Sequence, residues 1–229
     1  SGVIVELGPD VIGLKKGDYV ACGGAGYAVH GEYASIPINL VNKIPDNVDL
    51  KWASFTTIGS VAVQGIRLSN LQFGETVLVI GLGLVGLLSV QILKAAGCVV
   101  IGFDTNIERC KLAESIGCHF TTNNPISIEN FAETITSANG VDLALITAST
   151  SSNEPIELAS RLVRDRGAIT VVGNVGLNID RTPFYEKEIL FRVSRSYGPG
   201  RYDFTYEQEG HDYPIGYVRW TEKRNMESF

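Results

Sequence analysis

Apolar residues run unbroken through Val77, Leu78, Val79 and Ile80 and then give way to glycine. A short unbroken run of this kind predicts a strand buried on both faces. A helical pattern follows through Leu87, Leu88, Val90, Ile92, Leu93 and Ala96 and ends at Gly97. A second run, Cys98–Phe103, predicts the next strand. Further on, the pattern predicts a helix capped by Asn106 and ending at Gly117, then a short strand at His119–Thr122. An amphipathic helix is expected over 126–138, a strand over 142–147, a helix over 155–163, a strand over 167–173 and a sixth strand over 188–194. Strands and helices alternating at this spacing predict an α/β fold with a six-stranded, doubly wound parallel sheet.

The chain before the first buried strand reads differently. Residues 2–7, 19–21, 31–36 and 39–44 look like short strands between Gly- and Pro-marked turns, and 50–69 reads as one helix. After Tyr197 the chain turns polar and Tyr-rich, and a helix begins near Trp220. The expected division is a partial β domain over 1–50, the parallel sheet over 51–197 and a return segment over 198–229.

Chemistry enters at the first buried strand. Gly81-Leu-Gly-Leu-Val-Gly86 fits G-x-G-x-x-G between a strand and a helix. Gly81 permits the tight turn, Gly83 lets a pyrophosphate approach the backbone, and Gly86 lets helix and strand pack closely. The free N–H groups at Leu84, Val85 and Gly86 face the phosphates. Asp104 follows about twenty residues on, where a carboxylate accepts hydrogen bonds from ribose hydroxyls. A carboxylate there repels a 2′-phosphate, and neighbouring Thr105 brings no cation, so NAD is expected over NADP. Arg109, one turn into the next helix, is the counter-signal: it faces either the cofactor or solvent.

Composition narrows the partners. The 229 residues carry a net charge of −6 with a pI of about 5.1, and no basic stripe forms, which argues against nucleic acid. No apolar run reaches membrane-spanning length and no signal peptide shows. Cys22, Cys98, Cys110 and Cys118 form no C-x-x-C pair and read as free thiols of a reducing, cytoplasmic compartment. Without an initiator Met, and with a helix only beginning at the end, the sequence reads as part of a longer protein.

Gly17-Asp-Tyr-Val20, the following helix, Gly81–Gly86 and Asp104 together resemble the medium-chain dehydrogenase/reductase superfamily, the zinc-type alcohol dehydrogenases and their relatives. The resemblance implies a Rossmann domain joined to part of a GroES-like catalytic domain, with residues 198–229 starting the return to it. It implies a nicotinamide lined by Thr147, Ala148, Gly173, Asn174, Val175 and Ser196. It also implies a homodimer paired through the sixth strand. Asn153–Glu157, Pro183–Glu188 and Ser194–Asp203 are similar to a bacterial subgroup of sugar or surface-polysaccharide metabolism, often fused to a glucose–fructose-oxidoreductase-like domain.

Two departures point away from metal. Thr57 stands where the zinc enzymes carry a catalytic Cys ligand, and Tyr19–Tyr33 holds only Cys22 where a four-cysteine structural loop would lie. A neutral hydroxyl is a poor zinc ligand. The expected protein is a zinc-free, NAD-dependent oxidoreductase moving hydride between nicotinamide and an alcohol or carbonyl of a sugar-like small molecule. Thr57, Tyr197 and Arg201 are the candidate catalytic groups, with Tyr33 a further one. Arg201 either clamps an anionic substrate or pairs with Asp203. The competing readings are a non-catalytic NAD-binding module of a larger fused protein and a zinc alcohol dehydrogenase with rearranged ligands.

Overall fold

The computed structural model describes residues 1–229. Elements follow in the order β1 (Gly2–Val3), β2 (Tyr19–Cys22), a 3-10 turn (Ile38–Leu40), β3 (Val41–Lys43), α1 (Leu50–Ala53), α2 (Thr56–Leu68), β4 (Thr76–Ile80), α3 (Leu84–Ala95) and β5 (Val99–Phe103). They continue with α4 (Ile107–Ser115), β6 (Phe120–Thr122), α5 (Pro125–Ile135), β7 (Val141–Ile146), α6 (Glu154–Leu162), β8 (Val163–Val171), α7 (Arg181–Glu186), β9 (Leu190–Val193), α8 (Phe204–Glu207) and α9 (Glu222–Ser228). The chain forms two compact units, one from Ser1–Val61 with Arg195–Phe229 and one from Ala62–Ser194.

The second unit is a parallel sheet in the order β6-β5-β4-β7-β8-β9. Alternation along β4 explains why helices cover both faces. Leu78 and Ile80 join Ile101, Ile146, Ile128 and Ile156 in one core, while Val77 and Val79 join Val100, Leu145, Val90 and Leu93 in the other. A strand buried on both sides needs an unbroken apolar run, and each fully buried Leu or Ile contributes about 1.5–3 kcal/mol. Strand order reverses between β4 and β7, which opens a crevice at the carboxyl ends of the strands.

Caps fix the helix starts. Asn106 accepts from Glu108 N and Arg109 N, and Asn124 accepts from Ile126 N and Ser127 N ahead of Pro125. β8 begins directly after α6, and the register shifts between Val141 and Leu143, where Arg166 takes a φ of +56°.

The first unit is smaller. β1, β2 and β3 form an antiparallel sheet, and Ala21, Ile44 and Ala53 make a small core. Here the elements differ from the sequence expectation. Strand pairing covers only 2–3 of residues 2–7. Residues 31–36 form no strand, and Tyr33 is largely exposed. Alternation there has no neighbouring strand to pair with. The expected helix over 50–69 is two helices, with the break at Ser54–Phe55. α1 is a single turn capped by Asp49, and Thr56 Oγ1 donates to Ala53 O at the junction. No helix is long and apolar enough to cross a membrane.

Candidate functional site

β4 delivers the chain to Gly81 at the centre of the sheet's carboxyl edge. Gly81 has a φ of +94°, and its N–H donates to Phe103 O at 2.8 Å. A Cβ there would stand 2.5 Å from Ala148 N, so both conformation and space demand glycine. Gly86 sits in the first turn of α3, where a Cβ would overlap the Gly81 carbonyl oxygen and lie 2.9 Å from Thr147 Oγ1. α3 therefore packs directly on the turn.

Gly83 is the opposite case. It is extended, caps α3 without any side chain, and no atom lies within 4 Å of where its Cβ would stand. The N–H groups of Leu84, Val85 and Gly86 have no carbonyl within the helix to bond and no side-chain cap. Leu84 is half-exposed and Gly86 is buried. Uncapped N–H groups beside open space, at the positive end of a helix dipole, form a cradle for a phosphate. The residues present fit the diphosphate of a dinucleotide.

Asp104 ends β5 and is buried. Its carboxylate accepts from Leu82 N at 2.7 Å and from Asn106 N at 2.8 Å. It thus ties the glycine turn to the neighbouring strand, a role its spacing alone did not reveal. Arg109 Nη1 lies 3.5 Å from the same carboxylate, so its guanidinium faces Asp104 although half of it is exposed. A carboxylate has lone-pair positions beyond two hydrogen bonds. Thr105 beside it is exposed.

The ends of β7 and β8 complete this edge. Thr147 Oγ1 donates to Gly81 O, and Thr147 N and Ala148 N both reach Ile80 O, at 2.8 and 3.1 Å. Asn174 N donates to Ala148 O at 3.1 Å, and a Cβ on Gly173 would overlap that same oxygen. Gly81, Gly83, Gly86, Asp104, Arg109, Thr147, Ala148, Gly173 and Asn174 therefore converge on one edge of one unit. Val175 is buried in the core that also holds Ile146 and Val171. Ser196 belongs to the other unit, half-buried and with a φ of +49°.

Thr57, Tyr197 and Arg201 all lie in the first unit. Thr57 Oγ1 donates to Cys22 O at 3.2 Å. Met226 Sδ stands 3.0 Å, and Thr57 Oγ1 3.6 Å, from where a Cβ on Gly23 would be. Tyr197 is buried beside Glu222, and burial, reinforced by Glu222 and Glu207, pushes the phenol up to about 12. Arg201 pairs with Glu207 at 2.7 Å in a buried ion pair. The partner is thus Glu207 and not Asp203, whose carboxylate caps α8 and accepts from Tyr213.

Thr57 and Cys22, as they stand in this chain, are poor zinc ligands. Thr57 is neutral and gives its proton to a carbonyl, and burial pushes the Cys22 thiol up, away from thiolate. No three of the chain's His, Cys, Asp and Glu side chains come together as ligands. Sequence reading missed Met226, Glu207 and Glu222 around Thr57 and Tyr197, since no spacing links residues so far apart in the chain.

The profile of the zinc-binding dehydrogenase family matches residues 85–209. The chain is 31% identical over 241 residues to a D-guloside 3-dehydrogenase of Escherichia coli, covering 99% of this chain and 62% of that protein. It is 31% identical over 201 residues to an alcohol dehydrogenase of Geobacillus stearothermophilus, covering 75% of this chain and 58% of that one. Among solved structures, galactitol-1-phosphate dehydrogenase from Escherichia coli superposes with a TM-score of 0.74 at 22% identity, covering 85% of this chain and 65% of that chain. That likeness carries the fold. The family profile spans more than half of the chain. The chain belongs to the zinc-binding dehydrogenase family, within the medium-chain dehydrogenase/reductases.

Proposed function

We propose that the protein binds NAD on the Gly81–Gly86 turn and transfers hydride between its nicotinamide and a carbinol or carbonyl carbon of a sugar-like substrate. The observation that carries this reading is the pairing of Gly83, open to space at an uncapped helix N-terminus, with Gly86, packed against the turn. One position admits a diphosphate; the other fixes the helix that receives it. The bound nicotinamide supplies the hydride acceptor or donor. The α3 amides hold the diphosphate, and the free lone pairs of Asp104 accept the ribose hydroxyls. Thr147, Ala148, Gly173 and Asn174 form the wall along which the nicotinamide is aligned. Asp104 favours NAD over its 2′-phosphorylated form by repulsion. Arg109 is drawn toward Asp104, which reduces the free cation available to a phosphate.

A sugar-like substrate is favoured by the relative called D-guloside 3-dehydrogenase, whose similarity runs over 99% of this chain. Catalysis without zinc is favoured by the donor set around Thr57 and Cys22. Thr57 is the group proposed to hydrogen-bond the substrate oxygen, whose proton is exchanged with solvent water. Tyr197 and Arg201 have supporting roles, because one hydroxyl is buried and the other side chain is already paired. The sheet unit is proposed to be the Rossmann domain, and the first unit the later part of a GroES-like catalytic domain.

The test is turnover by the full-length protein. Metal-free protein, NAD and an alkyl D-guloside are expected to give nicotinamide absorbance. Dinucleotide binding without turnover on any sugar or alcohol would favour a non-catalytic module instead. Turnover that chelation removes and zinc restores would overturn the zinc-free reading.

A further inference from the structure

Glu222 opens α9, and its side chain is wholly buried, with the Tyr197 hydroxyl as its hydrogen-bonding neighbour. Several titratable groups face it from the segments packed around it. Arg195, Tyr197 and Arg201 come from the loop before α8, Tyr206 and Glu207 from α8, and Tyr213 from the segment after it. Arg201 is already paired with Glu207. An anion at Glu222 would meet a carboxylate, phenols and an already paired Arg201, with Arg195 as a further cation facing it, and would leave water to do so. A buried carboxyl so placed is retained as the neutral acid. Burial, reinforced by Glu207, raises its pKa from 4.5 to about 8.

α9 holds together the surroundings of Thr57. Asn225 Nδ2 donates to Tyr197 O at 2.9 Å, Asn42 Nδ2 donates to Lys223 O at 3.0 Å, and Lys223 Nζ donates to Ile38 O at 2.9 Å. Met226, one turn beyond Glu222, lies beside Gly23 and Thr57, and the Phe229 ring fills the space over Gly59. Lifting α9 would uncover Thr57 and the Cys22–Gly24 loop together.

We propose that α9 is a proton-dependent latch over the Thr57–Gly23 region, closed while Glu222 is a neutral acid and opening with loss of that proton to solvent. The latch rests on the burial of Glu222 and the contacts of α9, and it stands whether or not the protein uses NAD. Its sign follows from linkage. The closed state has the raised pKa and the open state the ordinary one. Closure is fully supported below the ordinary carboxyl pKa. That support is lost as pH rises toward about 8 and changes no further beyond it.

The test is amide hydrogen exchange of residues 222–228 in the full-length protein, wild type against Glu222→Gln, between pH 5 and pH 9. The glutamine cannot ionise, and comparing the two proteins at each pH cancels the intrinsic pH dependence of exchange. Protection of the wild type relative to the variant is expected to fall by on the order of a hundredfold from pH 5 to pH 8 and then to level off. A ratio that stays constant across this range overturns the proposal. If Glu222→Gln does not fold, carboxyl-carbon NMR of glutamate-labelled wild type decides. One glutamate titrating far above the ordinary carboxyl range supports the latch, and all glutamates titrating within that range overturns it.

Discussion

Gly83 and Gly86 stand three residues apart and respond to opposite demands. Gly83 has a φ of −72°, which any residue adopts, and free space where its side chain would be. Gly83→Ala is therefore expected to leave stability within about 0.5 kcal/mol, while a methyl group in the phosphate cradle weakens dinucleotide binding by about tenfold or more. Gly86→Ala drives a methyl group into the Gly81 carbonyl and is expected to cost about 1–3 kcal/mol of stability. Thermal unfolding and dinucleotide titration of both variants separate the two effects. Asp104→Ala strands the buried Leu82 N–H and is expected to cost about 1–3 kcal/mol by denaturant unfolding, even in the absence of cofactor. The glycine spacing was legible in the sequence as a motif, and Gly81 and Gly86 answer geometric demands of the turn itself. The structural share of Asp104 was not, because its partner at Leu82 is known only once β4 and β5 lie side by side.

Among the elements, the inner strands β4, β5 and β7 declared themselves as apolar runs because strands covered on both faces have no polar side to interrupt them, whereas the edge strands β6 and β9 are only partly buried. The first unit was less legible. Alternation over 31–36 suggested a strand that has no neighbour, and the apolar spacing over 50–69 concealed the break before Thr56. Lys187 illustrates a contact with no sequence signature. Its ammonium donates to Ser160 O, Arg161 O and Val163 O at 2.9, 2.8 and 2.9 Å, closing the carboxyl end of α6 at its direct junction with β8. A cation there also meets the negative end of the helix dipole. Lys187→Met is expected to destabilise the sheet unit by about 1–3 kcal/mol, read as a lower denaturation midpoint with an unchanged slope. An unaltered midpoint would mean that water replaces the ammonium at no cost.

At the scale of the whole molecule, the chain leaves the first unit at Val61, builds the sheet and returns to the first unit at Arg195. The sequence turns polar and Tyr-rich after Tyr197, and only the family resemblance implied a return there. The buried cluster it builds from Tyr197, Arg201, Glu207 and Glu222 could not be anticipated, since no spacing joins the candidate groups Tyr197 and Arg201 to the two glutamates. The candidate chemistry divides in the same way. The glycine turn, Asp104 and the ends of β7 and β8 belong to the sheet unit, and Thr57 with its neighbours to the other. The chain spans 62% and 58% of the length of the two relatives compared, so the cofactor site is the part of the proposed function that it carries most fully. Calorimetric titration of the full-length protein with NADH and NADPH tests that site directly. NADH is expected to bind at least about tenfold more tightly than NADPH, a difference of about 1.4 kcal/mol, because the Asp104 carboxylate repels a 2′-phosphate. No binding of either dinucleotide, or tighter binding of NADPH, would contradict it.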